Sequence, residues 1–138
     1  MDLTTFDAYG NSIVVLCHRI QKHEFSSESE IDAGIAEATK IEATLHNAYE
    51  DSEGDVNDGI ISLMEFPVTE RKQIAEGYLH RMEECQSVLF NAAKAEINFY
   101  PDVISVTFKR LLRLLKSSWG SVAWQWHEAV SKVLEKAK

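Results

Sequence analysis

Proline is scarce in this chain. Only Pro67 and Pro101 stand among 138 residues, and the six glycines never adjoin one another. Long stretches therefore carry no strong helix breaker, and no glycine-rich loop is present to cradle a phosphate. Cysteine is equally rare, with Cys17 and Cys85 alone. Two thiols make no disulfide framework, and both fall on apolar helical stripes, so buried free thiols of a reducing compartment are expected. The longest aliphatic run, Ile13 to Cys17, is far short of the ~20 residues that cross a bilayer, so no membrane partner is expected. Met1-Asp2-Leu3 does not open a basic region followed by an apolar one, which makes the cytoplasm the expected compartment. Positive charge is in deficit, 14 Lys and Arg against 22 Asp and Glu for a net −8. That balance argues against indiscriminate nucleic-acid binding by the whole surface.

What is present is helical periodicity. With 45% hydrophobic and 26% charged residues, the chain reads as one folded domain over 1–138. Phe6, Tyr9, Ile13, Leu16, Cys17 and Ile20 recur at three- and four-residue steps and predict a helix from about Thr5 to Glu24. Ser27 with Glu30 fits a capping box, in which the hydroxyl and the carboxylate satisfy free amides of a second helix. That helix carries Ile31, Ile35, Ala38, Leu45 and Tyr49. The acidic segment Glu50–Asp55 reads as a loop. Asp55 would cap a short helix ended by Pro67. Thr69 would cap the next, with Val68 as its hydrophobic staple and Ile74, Tyr78, Met82, Cys85, Leu89 and Ala92 on its stripe.

After a turn at Phe99-Tyr100-Pro101-Asp102, one stripe runs through Ile104, Phe108, Leu111, Leu115, Trp119, Val122, Trp126, Val130 and Val133. Its phase is unbroken at Gly120, which predicts one long C-terminal helix. The expected fold is all-α, a bundle of four to five amphipathic helices.

Sites for chemistry are sparse. Glu42, His46 and Glu50, and again Glu76, His80 and Glu84, share the spacing Glu-x3-His-x3-Glu, which stacks side chains on one helix face. The second trio lies away from the apolar stripe and should be in water. Glu42 and Glu96 fall on apolar stripes with His46 at an edge, so Glu42, His46 and Glu96 form the alternative metal or acid–base set. The structural alternative is that Glu42 and Glu96 are half-buried and pair with Arg81 or a lysine. Helical pyrophosphatases of the MazG kind hold Mg²⁺ with Glu-x-x-Glu followed by Glu-x-x-Asp. Here Glu50 and Glu53 give the first motif, but no Glu-x-x-Asp occurs. Cys17 and His18 are adjacent in a helix, point about 100° apart, and cannot act as a nucleophile–base pair. No cofactor is expected.

Charge is unevenly spread. Residues 102–138 hold seven basic and three acidic residues, and residues 1–101 hold seven basic and nineteen acidic. The outer side of the C-terminal helix collects Arg110, Arg113, Lys116 and Trp124, with Trp124 opposite the stripe of Trp119 and Trp126. An exposed tryptophan with arginines nearby has the composition of an interface hot spot. The structural alternative is a central helix covered on both sides, with Trp124 as core. The functional expectation is a non-enzymatic adaptor, regulator or inhibitor docking a protein partner through this face, with self-association as a symmetric dimer one form of it. A third expectation uses the acidic residues Glu24, Glu28, Glu30, Asp32, Asp51, Glu53, Asp55 and Asp58. These would mimic nucleic-acid charge and inhibit a nucleic-acid enzyme.

Overall fold

The apolar stripe that keeps its phase through Gly120 becomes a single helix of 35 residues, about 52 Å long. The computed structural model describes residues 1–50, 52–97 and 100–136, without the side chains of 49, 50 and 52–55. Among the described residues there are five helices and no strand: α1 (Leu3–Gln21), α2 (Glu28–Glu50), α3 (Ser52–Met64), α4 (Val68–Lys94) and α5 (Asp102–Lys136). The protein is an all-α bundle with a long C-terminal helix. α5 is its axis: α4 and α2 pack most extensively against it, α3 packs near its C-terminal half, and α1 lies mainly on α4.

The core follows the stripes. Phe108, Leu111, Leu115, Trp119, Val122, Trp126, Val130 and Val133 are buried, with Leu112 beside them, while Ile104 is half-buried. Phe6 of α1 stacks on Trp119 with ring centroids 5.4 Å apart. Phe25, in the α1–α2 connection, is also buried and stacks on Phe108 at 5.6 Å. Tyr100 closes the same end of the bundle, tilted against Phe108, and its hydroxyl donates to the Ile20 carbonyl at 3.3 Å.

Helix ends depart from expectation in instructive ways. Asp2, not a later residue, caps α1, accepting from the Thr5 amide at 2.8 Å. α1 ends at Gln21 because His23 turns left-handed (φ 56°), letting the Glu24 amide return to the Arg19 carbonyl at 3.0 Å. At α2 the Glu30 amide does bond the Ser27 hydroxyl, at 3.2 Å. The Glu30 carboxylate, however, reaches past Ser27 to the Ser26 amide and hydroxyl at 2.7 and 2.9 Å, and these bonds lower its pKa. Of the expected loop over 50–55, Glu50 belongs to α2 and 52–55 to α3; Asp51 lies outside the described residues. Asp55 is therefore inside α3 rather than its cap.

Thr69 does not cap α4, which starts at Val68 behind Pro67 with no side-chain cap. Pro67 stands at the N-cap with φ −54° and ψ 148°, and its carbonyl takes the Arg71 amide at 2.8 Å. The Arg71 guanidinium in turn donates to the Met64 and Phe66 carbonyls, 2.9 Å each, and closes the end of α3.

Two close approaches need glycine. A Cβ on Gly34 would lie 2.7 Å from the Phe25 ring, and one on Gly59 would overlap the Trp126 ring. Gly59 thus lets α3 sit against α5. Gly120 is different, since a Cβ there meets nothing within 4 Å. In urea denaturation, Gly59→Ala should lower stability by about 1–3 kcal/mol through overpacking. Gly120→Ala should raise it by about 1 kcal/mol, the helix-propensity difference.

Cys17 and Cys85 are free and buried, and burial pushes each thiol up to about 12 from an ordinary 9.0. As pH rises through that window the unfolded chain releases protons that the native state keeps, so stability falls. A Cys17→Ala, Cys85→Ala double variant should lose less stability than the native chain between about pH 8 and about pH 10 in urea titrations.

Candidate functional site

All four other helices touch α5, yet one tryptophan on it remains in solvent. Trp124 is 70% exposed, whereas Trp119 and Trp126 are 2% and 1% exposed. The covered-helix alternative is right about α5 and wrong about this residue. The helical repeat explains it: positions 119, 122, 126 and 130 turn toward the bundle, and 124 projects opposite.

Trp124 separates two depressions. On one side a groove of about 900 Å³ runs between α3 and α5, with Ile60, Ile61, Met64, Trp124, Ala129 and Val133 supplying apolar lining. Its rim holds Gln125, Lys136 and Lys132, the last 3.5 Å from Glu128. On the other side Trp124 borders a smaller cleft of about 230 Å³ between α4 and α5, with Gln86, Gly120 and His127. His127 Nε2 lies 3.3 Å from Glu83 there.

Arg110, Arg113 and Lys116 are exposed on the same helix. They are spread along it rather than gathered around Trp124, since fourteen positions from Arg110 to Trp124 correspond to about 21 Å of rise. Neither Arg110 nor Arg113 forms an ion pair among the described residues. Lys116 places its ammonium over the Phe90 ring of α4, 4.6 Å from the centroid, and Lys94 does the same at 4.6 Å. Arg113, Lys116 and Lys94 line one cleft. Lys116 also lines the next, with Phe90, Trp119 and Gly120, and that one shares Gln86, Trp119 and Gly120 with the cleft at Trp124. A furrow along α4 and α5 thus connects Trp124 with Arg113 and Lys116 and leaves Arg110 outside. Phe90, Lys94 and Gln86 are members of this furrow that sequence reasoning missed. Phe90 carried a signal, being a large apolar residue off the α4 stripe.

The metal alternative fares differently. Glu42 is half-buried and accepts a hydrogen bond from the Ser118 hydroxyl at 3.0 Å, while His46 and Glu96 are exposed. Glu96 lies beyond the end of α4 at Lys94, so its helical-wheel position does not apply. Among the described residues no three His, Cys, Asp or Glu side chains are grouped to hold a metal ion. The expected pairing of Glu42 or Glu96 with Arg81 is not formed. Arg81 instead bonds Asp7 of α1 at 2.8 Å, joining α1 to α4. Glu76, His80 and Glu84 are exposed, as their wheel position implied.

Of the acidic set, Glu24, Glu28, Glu30, Asp32 and Asp58 are exposed, and Glu30 is engaged with Ser26. The side chains of Asp51, Glu53 and Asp55 lie outside the described residues. No described helix is long and apolar enough to cross a membrane. No family model, curated protein or solved structure matches this chain.

Proposed function

We propose that this chain is a non-enzymatic protein-binding module, an adaptor, regulator or inhibitor, that docks a protein partner through the outer face of α5 with Trp124 as anchor. The observation that supports this reading is the exposure of Trp124 at the edge of the apolar α3–α5 groove. An indole buries a large, rigid area on association and orders few torsions in doing so, which is why tryptophan dominates hot spots. Ile61 and Met64, also exposed beside it, enlarge the apolar area available for burial. The groove borders α5 from Trp124 to Lys136, a rise of about 18 Å, the length of roughly three turns of a docked helix. Arg113 and Lys116, reached along the α4–α5 furrow, would set orientation and encounter rate more than affinity. A symmetric homodimer through the same face is one form of this reading. The two buried free thiols support a reducing compartment such as the cytoplasm.

Affinity capture from native lysate, paired with urea denaturation, tests the reading. Trp124→Asp should leave stability within about 0.5 kcal/mol of the native value, as for other exposed positions. It should abolish retention of a partner, or dissociate a homodimer in sedimentation. Unchanged partners and unchanged oligomeric state in Trp124→Asp would overturn the reading.

A further inference from the structure

We propose that the cleft between α4 and α5 at Lys94, Arg113 and Lys116 binds a phosphate monoester whose organic part is a flat ring. This goes beyond protein docking and does not depend on Trp124.

The cleft gathers positive charge on an acidic chain. Asp and Glu outnumber Lys and Arg by 22 to 14. Here a depression of about 440 Å³ is lined by Ala93, Lys94, Arg113, Lys116 and Ser117, with three cations and no carboxylate. None of the three cations forms an ion pair among the described residues. Lys94, Arg113, Lys116 and Ser117 are exposed, so the three charges attract an anion through solvent, an effect that salt weakens.

Phe90 holds two of these charges in place. Lys94 lies four residues after Phe90 on α4, Lys116 arrives from α5, and each ammonium is 4.6 Å from the ring centroid. The two nitrogens are therefore no more than twice 4.6, or 9.2 Å, apart. A phosphoryl group accepting charge-assisted bonds of about 2.7–2.9 Å through two of its oxygens bridges nitrogens up to about 8 Å apart, inside that upper bound. The Arg113 fork suits bidentate contact with phosphoryl oxygens, and the Ser117 hydroxyl adds a neutral donor. Three cations suit a dianion better than a single carboxylate, and a phosphate monoester carries up to two charges near neutral pH.

The place for the ring adjoins it. A second cavity of about 470 Å³ shares Lys116 and is lined by Leu89, Phe90 and Trp119 together with the polar Gln86 and the carboxylate of Glu83, with Gly120 at its edge. A Cβ at Gly120 would meet nothing within 4 Å, so this wall is open to a ligand. The volume is within the range of small-molecule sites, roughly 300–1,000 Å³, and its apolar lining suits one ring.

Titration of the ¹⁵N-labelled full chain with phenyl phosphate, inorganic phosphate and phenol tests the proposal. Phenyl phosphate should give saturable amide shifts confined to residues 87–94 and 113–120. Inorganic phosphate should shift the residues around Lys94 and Arg113 more weakly and leave Trp119 and Gly120 unmoved, and phenol should do neither. Arg113→Gln and Lys116→Gln should each weaken binding about tenfold, as loss of a charge-assisted bond does. Affinity should rise between about pH 5 and pH 7, as the monoester takes its second charge near pH 6. Trp124→Asp should bind phenyl phosphate normally, which separates this site from partner docking. Shifts that are absent, that scatter over lysines elsewhere, or that persist in both glutamine variants would overturn the site. Equal binding of phosphate and phenyl phosphate would overturn its ring-binding half.

Discussion

The buried stripe of α5 is the constraint on which the rest of the bundle depends. Its side chains, from Phe108 to Val133, form the surface against which α4, α2 and α3 are placed, and Trp119 and Trp126 are the largest of them. Three contacts show accommodation to the aromatic rings of this stripe. Phe6 stacks on Trp119, Gly59 of α3 has no side chain where Trp126 lies, and Phe25 folds back onto Phe108. Polar links between helices among the described residues are peripheral by comparison. Arg81 to Asp7 and Ser118 to Glu42 fix the relation of two helices each and are partly solvated, where such bonds contribute modestly.

The same period that buries one side of α5 exposes the other. A helix long enough to hold the whole bundle presents an outer strip as long as itself, and this chain places Arg110, Arg113, Lys116 and Trp124 there. Residues 102–138 hold only three of the 22 acidic residues, so the basic strip stands out in composition as well as in position. Between α4 and α5 the surfaces part into a furrow because Gly120 contributes no side chain and Phe90 stands at its margin. Partner docking at Trp124 and anion binding near Phe90 are therefore neighbouring uses of one uncovered helix face.

The sequence made the helices and their inward faces legible because burial imposes a period of 3.6 that residue type records directly. The C-terminal stripe, including its continuity through Gly120 and the outward projection of Trp124, is the clearest case. Helix ends were less legible, since Pro67 and the left-handed His23 act through backbone geometry and local carbonyls, and the Asp2 carboxylate caps α1 ahead of its first periodic apolar residue. Partners across helices were least legible. Arg81 meets Asp7 rather than Glu42 or Glu96, and Lys94 joins Lys116 over Phe90, because both depend on how helices distant in sequence are rotated against each other. A wheel drawn for one helix carries no information about that rotation. Glu96 shows a further limit, for its wheel position lost meaning once α4 ended before it.

The most direct test of the account is site-specific photo-crosslinking in living cells, with a benzophenone side chain placed at position 124 and, separately, at the exposed Ala43 of α2. If the outer face of α5 is the docking surface, position 124 will give a discrete protein adduct that position 43 does not. The same adducts from both positions, or none from position 124, would contradict it.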